Sequence, residues 1–187
     1  MMQYMINKMK KKQVYIGLMI FICFGFDQYT KKIVRLQIEP QIETIHSQLP
    51  GNYKFNSKTE IFGKQLQLMN VENEGAFLGM GSELNPSIKI ILLLILPITV
   101  LLFVLYYLFT DKSLNTMSIT GLSLIVGGGF ANLYDRYKYG SVTDFLYMEF
   151  SENIKTGIFN FADMCVTTGM ILILIASFTE KYQKKAD

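Results

Sequence analysis

The segment Ile90–Phe109 restricts the fold of this chain more than any other feature, because it contains no charged side chain. A helix of about 20 apolar residues is long enough to cross the hydrocarbon core of a bilayer. Hydrophobic residues make up 50% of the chain and gather in long runs between polar stretches, which is typical of a membrane protein. The net charge of +3, without a basic stripe, argues against nucleic acid as a partner.

Four segments are predicted to cross the membrane as helices: 14–34, 90–109, 117–134 and 158–179. The third contains the glycine run 127–129, and small residues let membrane helices approach closely. Partial alternation of apolar and polar residues over 140–146 predicts a short strand, and 53–68 is a second candidate for a strand or a flap.

These segments define the expected fold class. We expect an all-α membrane protein, a four-transmembrane-helix bundle with a small extracytoplasmic β-containing region. The whole chain, 1–187, would form a single integral membrane domain, with outer loops at about 35–89 and 135–157.

The first predicted span allows two interpretations. Its apolar stretch Val14–Phe26 is short and follows a lysine-rich start, as in a cleaved signal peptide. However, no small-residue cleavage site follows, and helical periodicity continues past Asp27, which pairs with Lys31 at i, i+4. We therefore favour a retained helix.

Lysines indicate the orientation of the spans. They cluster in the first twelve residues and in the C-terminal tail, and Lys112 lies in the short turn between the second and third spans. The positive-inside rule then places both termini and this turn in the cytoplasm.

With this orientation, polar residues at the span ends gather at the outer face. They are Asp27, Asn132, Asp135, Arg136, Asn160 and Asp163. Ionisable groups at membrane depth are costly and usually mark function. Asp163 is the strongest candidate, because it lies inside an otherwise apolar run.

Two carboxylates brought together in a low-dielectric site cannot both ionise easily, so one keeps a proton while the other stays charged. Such a pair can activate water and protonate a substrate without a metal, as in aspartic proteases. The single histidine, His46, lies in a polar loop, and Cys23 and Cys165 fall within apolar runs where packing is their usual role. We therefore expect neither a metal site nor a cofactor.

The sequence resembles the lipoprotein signal peptidases, that is, the signal peptidase II family. Four blocks carry the resemblance in family order: Asp27–Lys31; Asn73–Ala76; Gly128–Arg136 followed by Val142–Phe145; and Phe159–Asp163. Each block is a weak signal alone, whereas all four in order on four predicted spans are highly specific. The resemblance implies an aspartic endopeptidase that cuts bacterial prolipoproteins just before a cysteine modified with diacylglycerol.

By match of motif, the resemblance makes Asp144 and Asp163 the catalytic pair; it alone favours Asp144 over Asp135. The residues expected to bind substrate or support the site are Asn73, Gly75, Asn132, Arg136, Asn160, Asp135, Asp27 and Lys31. The resemblance also implies a lipid-modified prolipoprotein as substrate and membrane lipids as partners. The enzyme would be a monomer in the bacterial cytoplasmic (inner) membrane, with its active site at the outer face.

Several alternatives stay open. Asp27 and Lys31 also fit a solvated salt bridge, and Asp135 also fits a purely structural role. The family often has a basic residue where this chain has Glu72, so the contacts made there are in question. An ion-coupled carrier would place its ionisable residues nearer the midplane, and a metal-dependent lipid-headgroup enzyme would use the carboxylates as Mg²⁺ ligands.

Overall fold

The computed structural model describes residues 2–38, 58–63, 65–75 and 85–186. Four helices make up most of this part: α1 Met2–Gln37, α2 Pro86–Thr110, α3 Thr116–Tyr139 and α4 Phe161–Ala186. The same residues contain four strands, which form a small antiparallel sheet: β1 Lys58–Phe62, β2 Leu66–Asn73, β3 Val142–Ser151 and β4 Ile154–Lys155. His46 and the start of the candidate segment 53–68 lie outside the described residues.

Within the described residues, three helical segments have the length and apolar character needed to cross a membrane: Pro86–Thr110, Thr116–Tyr139 and Phe161–Thr179. Large apolar side chains such as Phe103 and Leu174 point outward from them, as lipid-facing residues do. The chain is therefore a mostly helical membrane protein. The first predicted span, 14–34, lies within the 36-residue helix α1, and its passage through the membrane stays a prediction.

The helix ends follow local sequence signals. Asn115 caps α3, since its side chain accepts a hydrogen bond from the Ser118 backbone N–H. At the other end Gly140 adopts φ 80°, a left-handed conformation that glycine takes without steric cost. Helix α3 therefore continues past the predicted limit of residue 134, so Asp135 and Arg136 lie in the helix rather than in the predicted outer loop 135–157.

Helix α2 contains a π-helical turn at Ile91–Ile95, just before Pro97. Proline lacks a backbone N–H and its ring clashes with the preceding turn, so the regular i to i−4 hydrogen bonds of the helix cannot continue unchanged. The helix nevertheless continues to Thr110, as membrane helices can past a proline.

Glycine lets α3 pack closely against α4, as predicted. A Cβ atom at Gly128 would collide with the backbone carbonyl oxygen of Ala162. Further along the same interface, a Cβ at Gly121 would lie 2.8 Å from the carbonyl oxygen of Gly169. The two helices therefore meet backbone to backbone, and the close contact at Ala162 lies next to Asp163.

The sheet is anchored to the end of α1 by an apolar cluster of Val34, Ile38 and Phe145. Strands β2 and β3 pair so that Glu72 lies opposite Thr143 and Asn73 lies opposite Val142. A register irregularity between Leu68 and Val71 separates this end of the ladder from the rest. The sheet therefore holds Asn73 and Asp144 over the helix ends, and the expectation of a small β-containing region is confirmed.

Candidate active site

Asp144 lies on β3 and is almost fully buried, with 4% of its surface exposed. Its Oδ2 accepts a hydrogen bond of 2.9 Å from Asn73 Nδ2, and its Oδ1 accepts one of 2.6 Å from Asn160 Nδ2. Burial raises the pKa of Asp144 from 3.8 to about 7, against the opposing effect of these hydrogen bonds and with a further rise from the charge of Asp163. A carboxyl group in this position can hold a proton near neutral pH.

Asp163 lies in the first turn of α4 and forms a reciprocal cap with Asn160. Asn160 Oδ1 accepts a hydrogen bond of 2.9 Å from the Asp163 backbone N–H, and Asp163 Oδ2 accepts one of 3.1 Å from the Asn160 backbone N–H. This is the geometry of a capping box, with Asn and Asp in place of Ser and Glu. The predicted span 158–179 therefore starts its helix later than expected, at Phe161, because Asn160 is the cap.

Two asparagines connect the two aspartates. Asn160 Nδ2 also donates to Asn132 Oδ1 at 3.2 Å, and Asn132 Nδ2 donates to Asp163 Oδ1 at 2.9 Å. Asn160 itself is fully buried. The structure therefore brings together, in one hydrogen-bonded group, the five predicted site residues Asn73, Asn132, Asp144, Asn160 and Asp163.

Lys31 determines the orientation of the Asn132 amide. Its ammonium group, which can only donate, lies 2.7 Å from Asn132 Oδ1. The same nitrogen lies 2.8 Å from Asp27 Oδ2 and 2.7 Å from Asp135 Oδ2. The amide oxygen of Asn132 thus faces Lys31, and its NH₂ group faces Asp163.

Lys31, Asp27 and Asp135 are all fully buried, with 0% exposure of their side chains. The alternative of a solvated surface salt bridge at Asp27 and Lys31 is therefore wrong. Asp27 Oδ1 also accepts a hydrogen bond of 2.8 Å from the Ala162 backbone N–H, one residue before Asp163. The buried ion cluster joins α1 and α3 to the start of α4.

Arg136 and Gly75 complete the predicted set. Arg136 is half-buried on α3, and its charge interacts with those of Asp144, Asp163 and Asp135. Gly75 donates its backbone N–H to Asn73 Oδ1 at 3.0 Å, which turns the Asn73 amide nitrogen toward Asp144. Both residues therefore lie beside the aspartates, Arg136 as a cation and Gly75 as a support for Asn73.

Several residues in this region were not among the sequence predictions. Gln28 Nε2 donates to Asp135 Oδ1 at 2.9 Å, and Arg35 lies 3.1 Å from the same oxygen. Arg35 continues the i, i+4 series of Asp27 and Lys31, so helical spacing was a usable signal for it. The partners of Glu72 and Thr143 depend on strand register, for which the sequence carried no signal.

A groove with a volume of about 390 Å³ opens beside Asp163. Its walls come from α4 and from the segment around β3 and β4, and include Met148, Phe159, Met164 and Thr167. The aspartate is the only ionisable side chain among the described residues that line it. The arrangement places a carboxyl group at the edge of a largely apolar groove.

Comparison with known proteins gives a consistent family. The family model described as signal peptidase (SPase) II matches residues 19–179. The lipoprotein signal peptidase of Borrelia duttonii (strain Ly) is 30% identical over 173 residues, which cover 90% of each chain. That of Borreliella burgdorferi (strain ZS7) is 31% identical over 174 residues, covering 90% of this chain and 93% of the relative.

Solved structures resemble the whole fold. A bacterial membrane enzyme determined by the in meso method at 2.3 Å superposes with a TM-score of 0.71 and 27% identity, covering 92% of this chain and 93% of that one. A second such structure, at 1.9 Å, gives a TM-score of 0.65 and 26% identity over 87% of this chain. By the extent of these matches, the chain belongs to the signal peptidase II family.

Proposed function

We propose that this chain is a membrane aspartyl endopeptidase that removes the signal peptide from diacylglyceryl-modified bacterial prolipoproteins. Cleavage would occur just before the lipidated cysteine. The observation that carries the proposal is the bridge at Asn160, which hydrogen-bonds Asp144 through its side chain and Asp163 through its backbone. Asn160 thereby holds two carboxyl groups together at the start of α4, and an aspartic protease requires such a pair of carboxyl groups.

Hydrolysis follows from this arrangement. Asp144, whose pKa is raised to about 7 by burial, begins with a proton and lies near Asp163. Asp163 takes a proton from water as the water oxygen attacks the scissile carbonyl carbon, and Asp144 gives its proton to the carbonyl oxygen. When the resulting diol collapses, the carbon–nitrogen bond breaks as Asp163 gives its proton to the cysteine nitrogen and Asp144 takes a proton from a diol hydroxyl. The signal peptide leaves with a free carboxyl group, and both aspartates return to their starting protonation states.

The remaining predicted residues fall into two groups in this proposal. Asn73, Asn132, Asn160 and Arg136 face the aspartates and would hold the peptide backbone, with Arg136 also stabilising negative charge that develops on the carbonyl oxygen. Gly75 supports Asn73. Asp27, Lys31 and Asp135 form the buried ion cluster that fixes Asn132 and the start of α4.

We also propose that α1 is a fourth span, so that 1–187 forms one integral domain. Two contacts at opposite ends of the bundle support this. Lys12 Nζ donates to the Asp111 carbonyl oxygen at 2.6 Å, in the turn between α2 and α3, while Asp27 accepts from the Ala162 backbone. The helical rise between Lys12 and Asp27 is about 22 Å, most of the thickness of a bilayer core.

This arrangement separates the two ends of the molecule by charge. The lysine-rich start of the chain and the α2–α3 turn lie at the end opposite Asp144 and Asp163. By the positive-inside rule, both termini would be cytoplasmic and the aspartates would lie at the outer face of the bacterial cytoplasmic membrane. A signal helix ends at that depth, so the bond to be cut reaches the site without leaving the bilayer.

The groove beside Asp163 suits a membrane-embedded substrate. Its apolar walls would accept the residues before the cysteine, while the acyl chains stay in the surrounding lipid. The site residues described here all come from one chain, so a monomer would suffice.

The test compares purified enzyme on two forms of one precursor in detergent or lipid. One form carries a diacylglyceryl group on its cysteine, and the other has that cysteine replaced by serine. We expect cleavage of the lipidated form only, with the new amino terminus at the modified cysteine, and no effect of EDTA. Equal cleavage of both forms would overturn the proposed substrate class, and loss of cleavage in EDTA would overturn the aspartic mechanism.

A further inference from the structure

A second polar group lies next to Asp144 and is centred on its sequence neighbour Thr143. Thr143 Oγ1 donates a hydrogen bond of 2.6 Å to Glu72 Oε1 and accepts one of 2.7 Å from Arg35 Nε. Ser141 Oγ donates to the other carboxylate oxygen of Glu72 at 2.5 Å. We call Arg35, Thr143 and Glu72 the Thr143 relay.

The relay joins three elements at one buried hydroxyl. Thr143 has no exposed surface and Arg35 is 3% exposed. Arg35 lies on α1 and also contacts Asp135 of α3 at 3.1 Å, while its guanidinium carbon lies 4.1 Å from the centre of the Tyr139 ring. The hydroxyl donates its single proton to Glu72 and accepts a hydrogen bond from Arg35, so a residue without a hydroxyl leaves these two polar groups without this partner.

The position of the relay in the sheet links it to the catalytic pair. Glu72 lies opposite Thr143, and the next residue on each strand is Asn73 and Asp144, respectively. An irregularity between Leu68 and Val71 leaves this end of the β2–β3 ladder as a short segment in which Val71, Glu72 and Asn73 pair with Asp144, Thr143 and Val142. The side-chain bonds of Glu72 add to this short stretch of backbone pairing.

We propose that Arg35, Thr143 and Glu72 are positioning residues that hold Asn73 and Asp144 in register for the reaction. This inference rests on the proposed function. It gives Glu72, the residue that departs from the family pattern, a defined role: its carboxylate accepts hydrogen bonds from the hydroxyl groups of Thr143 in β3 and of Ser141 just before it, and it balances the nearby charge of Arg35. Relaxing the relay would displace Asp144 relative to Asp163 without altering the apolar groove.

The test uses Thr143→Val, which removes the hydroxyl at nearly constant shape, and Thr143→Ser as its matched control. On lipid-modified precursor we expect Thr143→Val to lower kcat about tenfold or more with KM within about twofold, and Thr143→Ser to stay within about twofold of wild type. Glu72→Gln should also lower kcat, and should have little further effect when combined with Thr143→Val, because both changes break the same unit.

The pH dependence of cleavage is a second readout. A variant that is only less stable than wild type would not change it. Asp144 faces the charges of Asp163, Lys31 and Arg136, and the Asn73 hydrogen bond lowers its pKa. Loosening that bond raises the pKa, so the limb of the profile due to Asp144 should shift to higher pH in Thr143→Val and in Glu72→Gln. The shift should be absent in Thr143→Ser.

The outcomes separate the two proposals. If wild-type enzyme fails to cleave the precursor, or Asp144→Asn cleaves it normally, the proposed function fails and the relay's role fails with it. If those controls behave as expected but Thr143→Val has wild-type kcat and pH profile, only the relay is refuted. Equal impairment of Thr143→Ser and Thr143→Val would also refute it, since packing rather than the hydroxyl would then be responsible. If Thr143→Val does not fold, Glu72→Gln decides by the same criteria.

Discussion

Asn160 Nδ2 donates a hydrogen bond of 2.6 Å to Asp144 Oδ1, although the two residues lie on different elements and Asn160 caps the helix that bears Asp163. One buried residue therefore fixes both the distance between the aspartates and the start of α4. These two tasks use different atoms, since the side-chain oxygen caps the helix and the side-chain nitrogen bridges to Asp144.

Substitutions at Asn160 should separate its capping of α4 from its bridge to Asp144. Serine is a good helix cap but cannot donate to Asp144 and Asn132 together, so Asn160→Ser should keep the fold and lower kcat by about tenfold or more. Asn160→Ala should lose both tasks and be less stable than Asn160→Ser by about 1 kcal/mol. Cleavage rates and unfolding midpoints in detergent measure the two effects, and a wild-type kcat in Asn160→Ser would contradict the bridging role.

The pH dependence of stability should report the burial of Asp144. Because its folded-state pKa, about 7, lies above the ordinary value of 3.8, the stability contributed by the protonated group is complete below about pH 3.8 and is lost as the pH rises through about 7. Asp144→Asn lacks this titration. The unfolding midpoint of wild type should therefore fall relative to that of Asp144→Asn between about pH 4 and 7. A difference that stays constant over this range would show that the pKa is not raised.

Lys31 should be essential for stability as well as for the site. Lys31→Met leaves the buried carboxylates of Asp27 and Asp135 without their shared cation, which we expect to cost about 3–5 kcal/mol. The double variant Lys31→Met with Asp27→Asn should recover part of this loss, since one unpaired charge is removed. Thermal unfolding of the purified variants measures both. If Lys31→Met alone were as stable as wild type, Lys31 would not be needed to balance the buried carboxylates of Asp27 and Asp135.

The close contact of α3 and α4 should tolerate no added methyl group at Gly128. A Cβ there would collide with the Ala162 carbonyl oxygen, next to Asp163, so Gly128→Ala should cost about 1–3 kcal/mol and reduce cleavage. Gly17→Ala is the matched control, because a Cβ at Gly17 meets no atom within 4 Å. The control should keep wild-type activity and stability, and equal effects of the two changes would contradict the packing argument.

The sequence allowed prediction of the helices and of most residues in the site, for identifiable reasons. Apolar runs marked three segments that have the character of membrane spans. Asp163 was the strongest candidate because it is an acid inside one of these runs. Asp144 came only from family resemblance, because nothing in a polar segment distinguishes one acid from another. The structure adds the reason that Asp144 is special, which is its burial beneath two asparagine side chains.

What the sequence could not predict depends on contacts between distant residues. Asp27 and Lys31 have the spacing of an ordinary surface pair, and only their packing against Asp135 shows that they are buried. The role of Thr143 depends on the register of β2 against β3. A shift of one residue in this register would turn the side chains of the shifted strand to the opposite face of the sheet. The predicted helix limits also differ from the observed ones by a few residues. The observed ends are set by the capping residues Asn160 and Gly140, and the apolar pattern of the sequence does not change abruptly at these positions.

Cleavage of a diacylglyceryl-modified precursor shows whether Asp144 and Asp163 act as one catalytic pair. The assay compares purified wild-type enzyme with Asp144→Asn and Asp163→Asn, each shown to be folded by its unfolding transition. We predict cleavage before the lipidated cysteine by wild type and none by either variant, because each carboxyl group has its own proton to transfer. Wild-type cleavage by either variant would contradict the claim.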